Sequence, residues 1–346
     1  MKNKIIDLFC GCGGLSRGFE EVGFEVALAI DMWQDAIDTY NFNSSQKVAK
    51  CLDIHNLTNE MLLDYKESGV IGVIGGPPCQ GYSTVGTRDI NDPRNHLYKE
   101  YCRVVETIRP KFFVIENVKG LLTLSNGMFK NDIIKRFTKL GYKVEFKICN
   151  AADYGIPQRR ERVFFVGMQN KKFSFPKGSD EIITTKDALS DLSPLTPKNG
   201  DSLFSKYFSK PVNDYQKLMR ANNGQTVQNH QITHHTAQTI GVISLIPDGG
   251  TIKDLPEKYW NIRKYNKAFE RMDSNKPSNT VDTGHRNYFH YEQNRIPSVR
   301  ENCRLQSFPD DFVILGSKTS QYKQVGNAVP PILAKEIAKE IKKQLN

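Results

Sequence analysis

The chain has no Cys-x-x-Cys pair and no histidine pair at zinc spacing, although it contains seven cysteines. A zinc site of the usual kind is therefore not expected. Cys10 and Cys12 stand one residue apart inside a glycine turn, a poor geometry for a metal ligand pair. An odd cysteine count without a secretion signal reads as reduced thiols, not a disulfide framework. No uninterrupted apolar run reaches about 18 residues, so no membrane-spanning helix is expected. Met1-Lys-Asn-Lys4 leads straight into Ile5-Ile-Asp-Leu-Phe9, which is too short for a signal peptide. The expected location is the cytoplasm. Internal repeats and low-complexity tracts are also missing. Acidic residues are in deficit, 38 against 48 lysines and arginines, for a net charge of +10. That surplus favours a polyanionic partner, without separating nucleic acid from a generally basic surface.

With 38% hydrophobic and 25% charged residues, the chain can bury a real core. Its 346 residues suggest one large domain and a smaller lobe. The first half alternates strand-like and helix-like segments. Strands are expected at Lys4–Phe9, Glu25–Ile30, Val70–Ile74, Lys111–Ile115, Lys143–Ile148 and Arg162–Gly167. Helices are expected at Leu15–Val22, Gln34–Phe42, Leu97–Ile108 and Lys130–Leu140. Such alternation predicts an α/β fold with a doubly wound, mostly parallel sheet. After Lys171 the texture changes to Pro, Ser, Asn and Thr with short aromatic segments, and five of the seven histidines fall between His230 and His290. A helix returns from Pro331, where Leu333, Ile337 and Ile341 form an apolar stripe that should dock on the first lobe.

Several motifs sit at expected strand ends, where ligands bind in open α/β sheets. Asp7-Leu-Phe-Cys-Gly-Cys-Gly-Gly14 turns the first strand into a helix, but Ser16 occupies the third glycine place of a dinucleotide fingerprint. Asp31 ends the second strand and Asp53 the third unit. Each could hold a ribose or cap a helix. Carboxylates in this order suit S-adenosylmethionine, and NAD is the competing reading. Gly75-Gly-Pro-Pro-Cys-Gln-Gly-Tyr-Ser83 presents Cys79 on a stiff turn after a buried strand, as a nucleophile requires. Glu116 ends the strand Phe112–Ile115, and strand alternation predicts Arg160 and Arg162 on one face. Gln324-Val-Gly-Asn-Ala-Val-Pro-Pro331 precedes the last helix.

In this order, with Arg300-Glu-Asn-Cys-Arg-Leu-Gln-Ser-Phe-Pro309, these blocks resemble the DNA (cytosine-5)-methyltransferases of bacterial restriction-modification systems. The likeness covers nearly the whole chain outside residues 171–270. It implies a Rossmann-like catalytic domain over 1–170, completed by 318–346, and a target-recognition domain over 171–317. It implies methyl transfer from S-adenosylmethionine to C5 of cytosine in a short sequence of double-stranded DNA, through a covalent Cys79 adduct on a flipped-out base. Glu116, Arg160 and Arg162 would assist Cys79. Phe9, Cys10, Gly11, Gly13, Asp31, Met32, Asp53, Ile54, Pro77, Leu97, Asn327 and Val329 would hold the cofactor. Gln80, Ser83, Val85, Arg88 and Thr280 would contact DNA, and the histidines near 229–235 with the turn 246–250 are further candidates. The same likeness suggests a monomer associated with the nucleoid and a restriction endonuclease acting on the same site. A tRNA-modifying relative carries a Cys-Phe-Thr signature that is missing here, and a catalytically silent relative would not need Cys79, Glu116 and Arg160.

Overall fold

The computed structural model describes residues 3–78, 97–123, 127–260, 269–284 and 288–345. It divides into two compact units. The first comprises Met1–Asn150, Glu161–Gly178 and Pro331–Asn346; the second comprises Ala151–Arg160 and Ser179–Pro330. These limits differ from the expected 170/171 and 317/318. Residues 318–330 and the connection 151–160 both join the second unit, because Gln158 and Arg160 hydrogen-bond to backbone at Leu305, Val281, Gly326 and Ala328.

The strands of the first unit are β1 (Asn3–Leu8), β2 (Phe24–Asp31), β3 (Ala49–Cys51), β4 (Val70–Gly75), β5 (Phe112–Val118), β6 (Lys143–Asn150) and β7 (Glu161–Met168). They form one sheet in the order β3-β2-β1-β4-β5-β7-β6. The first five pair in parallel, and β7 runs antiparallel to β5 and β6. The helices are α1 (Gly14–Glu20), α2 (Gln34–Asn43), α3 (Asn59–Glu67), α4 (Leu97–Ile108) and α5 (Met128–Lys139), with a C-terminal helix over Pro331–Leu345.

Near-continuous apolar runs form β1, β4 and β5 because both faces of a parallel sheet are covered. Phe112 and Phe113 show it: consecutive strand residues point to opposite faces. Phe112 packs against Phe19 of α1 and Phe24, whereas Phe113 packs against Phe137 of α5 and Tyr142. Each such buried ring contributes about 2 kcal/mol. The buried Tyr101 hydroxyl donates to the carbonyls of Val73 and Val114, fastening α4 across β4 and β5. The stripe Leu333, Ile337 and Ile341 is fully buried, and the C-terminal helix lies against α1. Gly18 permits that approach, since a Cβ there would stand 2.5 Å from Ala334 Cβ and from the Lys335 amide.

Among its described residues the second unit has short helices, α6 (Thr185–Leu189), α7 (Asp214–Met219), α8 (Ala237–Leu245), α9 (Val299–Leu305) and α10 (Lys318–Asn327), and only two-residue strands. Sparse secondary structure leaves many carbonyls to be satisfied by side chains, and arginine brings five donors to that task. Arg300 donates to the carbonyls of Gln228, Pro309 and Phe312. Arg304 pairs with Asp310 at 2.7 Å and Asp191 at 2.9 Å, and Arg295 grips Glu301 with two bonds. The histidine-rich segment serves the same interior. His230 is buried between Ser298 Oγ and the Ser193 carbonyl, and His290 is buried and accepts from the amides of Glu292 and Gln293. Burial pushes both imidazoles below their ordinary pKa, so both are neutral. The expectation that the histidines near 229–235 face DNA is corrected for His230. Likewise the Ile246 carbonyl accepts from the buried Arg271.

Candidate active site

The carboxyl ends of the parallel strands assemble the site of the first unit. In register, Leu8 lies between Ile30 and Gly75, and Gly75 lies beside Ile115. The next residues on four adjacent strands are therefore Asp31, Phe9, Gly76 and Glu116.

After β1 the chain turns sharply. Phe9, Gly11 and Gly13 all have left-handed backbone, with φ of 60°, 52° and 94°. A non-glycine residue there is uncommon and marks a constrained turn. The Gly11 amide donates to Asp31 Oδ2 and the Trp33 amide to Asp31 Oδ1, both at 3.0 Å. A carboxylate has about four acceptor sites, so a side chain of this type can take hydroxyl donors as well as amides. Open space surrounds the position of a Cβ on Gly11, while one on Gly13 would strike the Tyr40 ring at 2.8 Å. Met32 beside Asp31 is 66% exposed despite being apolar. Glycines, a carboxylate and an exposed apolar side chain fit an adenosine joined to an amino acid. Asp53 caps the short turn Ile54–Asn56, accepting from the His55 amide, which holds its carboxyl below the usual range. The Ile54 side chain is buried in the core, and Leu97 packs against that core.

Beneath this turn lies a pair that the motifs did not reveal. Asp7 is fully buried and its Oδ2 accepts from Ser16 Oγ at 2.5 Å. Burial pushes the Asp7 carboxyl up to about 8, so it is mostly protonated at neutral pH. Burial also raises the Cys10 thiol well above its ordinary value, with Asp7 adding to the effect. Cys10 is thus a packing group with no thiolate character.

At the other end of the row, Glu116 Oε1 pairs with Arg162 Nε at 3.1 Å. Burial lowers the Arg162 pKa, and the Glu116 charge opposes that shift. Gly76 gives the carboxylate room: a Cβ there would lie 3.0 Å from Glu116 Oε2. The neighbouring Asn117 is 7% exposed, and its Nδ2 donates to the Pro77 carbonyl at 2.9 Å. Pro77 is two residues before Cys79 in sequence, so Asn117 ties the end of β5 to the segment that leads to it. The sequence signal for Asn117 was its place directly after Glu116. Cys79, Gln80, Ser83, Val85 and Arg88 lie outside the described residues.

Arg160 differs from Arg162. β7 begins at Glu161, so strand alternation does not reach Arg160. It belongs to the second unit, buried, with its guanidinium donating to the carbonyls of Val281, Gly326 and Ala328 at 2.9–3.3 Å. The same unit holds Thr280, whose hydroxyl donates to the Arg159 carbonyl, exposed Asn327 at the end of α10, and buried Val329. No group of metal ligands occurs among the described residues, and none of their helices is long and apolar enough to cross a membrane.

The family model for C-5 cytosine-specific DNA methylases matches residues 3–343. The chain belongs to this family. It is 40% identical to the type II methyltransferase M1.HphI of Haemophilus parahaemolyticus, over 99% of this chain and 87% of that protein. It is 38% identical to M.DdeI of Desulfomicrobium norvegicum, over 98% of this chain and 88% of the relative. Among solved structures, an E. coli prophage protein described as a DNA modification methyltransferase superposes with a TM-score of 0.84 at 27% identity, covering 99% of both chains. The Dnmt2 methyltransferase of S. pombe, at 19% identity and a TM-score of 0.63, shares the fold. This methylase transfers a methyl group from S-adenosylmethionine to C5 of cytosine in DNA.

Proposed function

We propose that Cys79 is the nucleophile of this methylase and that Glu116 and Arg162 act with it on the target base. The observation carrying this assignment is the Glu116–Arg162 pair at the strand end beside Gly76, three residues before Cys79. The Cys79 thiolate bonds to C6 of cytosine, breaking the C5–C6 double bond and making C5 nucleophilic. Glu116 supports the electron flow by holding or protonating N3 and binding the exocyclic amine. Arg162 contacts the pyrimidine O2 and favours the thiolate, whose ordinary pKa is roughly 8.5. S-adenosylmethionine would supply the methyl group that C5 takes up, its S–CH3 bond breaking to leave the neutral thioether S-adenosylhomocysteine. Loss of the C5 proton to a base then expels Cys79 as thiolate and restores the aromatic ring. Arg160 is assigned a bracing role, holding the segments around Val281 and Ala328.

For the cofactor, the reading assigns Phe9 and Met32 to the adenine, Asp31 to the ribose hydroxyls, and Cys10, Gly11 and Gly13 to the methionine end. Asp53 and the backbone at Ile54 are assigned to the adenine edge. Pro77, Leu97, Asn327 and Val329 complete the set. C5 and C6 are out of reach in a stacked duplex, so the base is extruded at a cost of about a few kcal/mol. Gln80, Ser83, Val85 and Arg88 are assigned to the strand around that base, and Thr280 to a DNA contact. The second unit would select a short target sequence, and a restriction endonuclease would cut the same sequence. One chain is the catalytic unit.

Wild-type protein should become covalently trapped on a duplex bearing 5-fluorocytosine in the target context when the methyl donor is present. Cys79→Ala should bind DNA without methylating it, as read by bisulfite sequencing of host DNA. Comparable methylation by Cys79→Ala would remove this residue from the mechanism.

A further inference from the structure

β6 forms one edge of the seven-stranded sheet and pairs with β7 alone among the described strands. The opposite edge, β3, is only three residues long. β6 has eight residues and no proline. Its even positions, Val144, Phe146 and Ile148, form an apolar ladder. Val144 packs on the core, and Phe146 stacks on its cross-strand neighbour Phe165 at 5.4 Å, with Lys130 Nζ 5.7 Å from the ring centre. Yet Phe146 and Ile148 remain 39% and 42% exposed. Of the odd positions, Lys143, Glu145 and Lys147 alternate in charge and Cys149 is buried, and the Glu145 partner Lys172 is itself on the surface.

Lysines on an edge strand usually discourage pairing with another chain. Here a glutamate stands between two of them, and the pattern complements itself. Directly opposed residues of an antiparallel pair share a face and interact. With a two-fold axis at Phe146, Phe146 faces Phe146 of a second copy. Val144 then faces Ile148 twice, and Glu145 faces Lys147 twice. Moving the axis to Glu145 or Lys147 sets that charge against itself. A one-residue slip sets the apolar ladder against the charged row. We propose that β6 is a self-pairing edge through which two copies of this chain associate, continuing the sheet across a two-fold axis at Phe146. Glu116 lies on β5, and β7 separates it from the pairing edge. Such pairing departs from the expected monomer.

The test is sedimentation of the full chain at concentrations from about one to several hundred micromolar, where mass action reveals weak dimers. Wild type should show a concentration-dependent dimer. Glu145→Lys alone, or Lys147→Glu alone, creates two like-charge pairs and should weaken the dimer about tenfold or more. The double variant Glu145→Lys/Lys147→Glu restores opposite charges and should recover wild-type association. Phe146→Cys should form a reducible disulfide dimer on oxidation that wild type does not, since the axis brings residue 146 against its own copy. Single-turnover methylation per chain should not change in the charge variants. A wild type that stays monomeric overturns the proposal, as do single variants that still dimerise or a double variant that does not recover.

Discussion

Replacing Asn117 by alanine tests whether the end of β5 positions the thiol. The wild-type side chain donates from Nδ2 to the Pro77 carbonyl and accepts the Val118 amide at Oδ1, each at 2.9 Å, in a site 7% exposed. Pro78 follows Pro77, and neither has an amide hydrogen, so the local backbone cannot replace the donor. Leaving a buried carbonyl unsatisfied costs about 1–3 kcal/mol. The turn can relieve that cost only by moving, and Cys79 moves with it. A displacement of about 1 Å at a reacting group can cost about a hundredfold in rate. Asn117→Ala should therefore lower the single-turnover methylation rate by about ten- to a hundredfold. Covalent trapping on 5-fluorocytosine DNA should slow in parallel. DNA affinity should stay within about twofold, because the lost bond is internal. Asn117→Asp should be no better, since it presents a second acceptor to the Pro77 carbonyl. If both variants trap and methylate at the wild-type rate, Asn117 does not position the turn.

Gly76→Ala would place a Cβ 3.0 Å from Glu116 Oε2 and push the carboxylate aside. Its kcat should fall while melting temperature changes little, and unchanged kcat would refute the crowding argument. Gly18→Val should destabilise the first unit, because even a Cβ there stands 2.5 Å from Ala334 Cβ and the Lys335 amide. Overpacking of this kind costs about 1–3 kcal/mol, readable as a lower urea midpoint. Asp7 gives a pH signature. Its folded-state pKa is raised from 3.8 to about 8, so its contribution is fully present below the unfolded value and fades as pH rises through the folded one. Between pH 6 and pH 8 the group should cost the wild type about 2 kcal/mol of stability. Asp7→Asn should flatten that part of the profile in urea titrations; parallel profiles would show that Asp7 ionises normally.

The strands were readable because burial on both faces demands runs such as Val70–Ile74 and Phe112–Ile115, closed by glycine, proline or a carboxylate. The expected Leu97–Ile108 helix has the observed bounds, and the docking of the last helix follows from its single apolar stripe. The family was legible because a chemical demand confines the Pro-Pro-Cys and Glu-Asn-Val blocks to motifs of fixed order. The direction of β7 was not legible, since Arg162–Gly167 reads as a buried strand whichever way it pairs. Arg160 and Arg162 look equivalent in sequence. Tertiary contacts separate them, with one guanidinium among backbone carbonyls of the second unit and the other on Glu116. His230 looks like a surface reader in a polar segment, but the fold buries it between Ser298 Oγ and the Ser193 carbonyl. Local pattern and ordered motifs thus determined the elements and the family. Only the folded chain decided which polar side chains are consumed in satisfying buried backbone, because that demand arises from distant segments brought together.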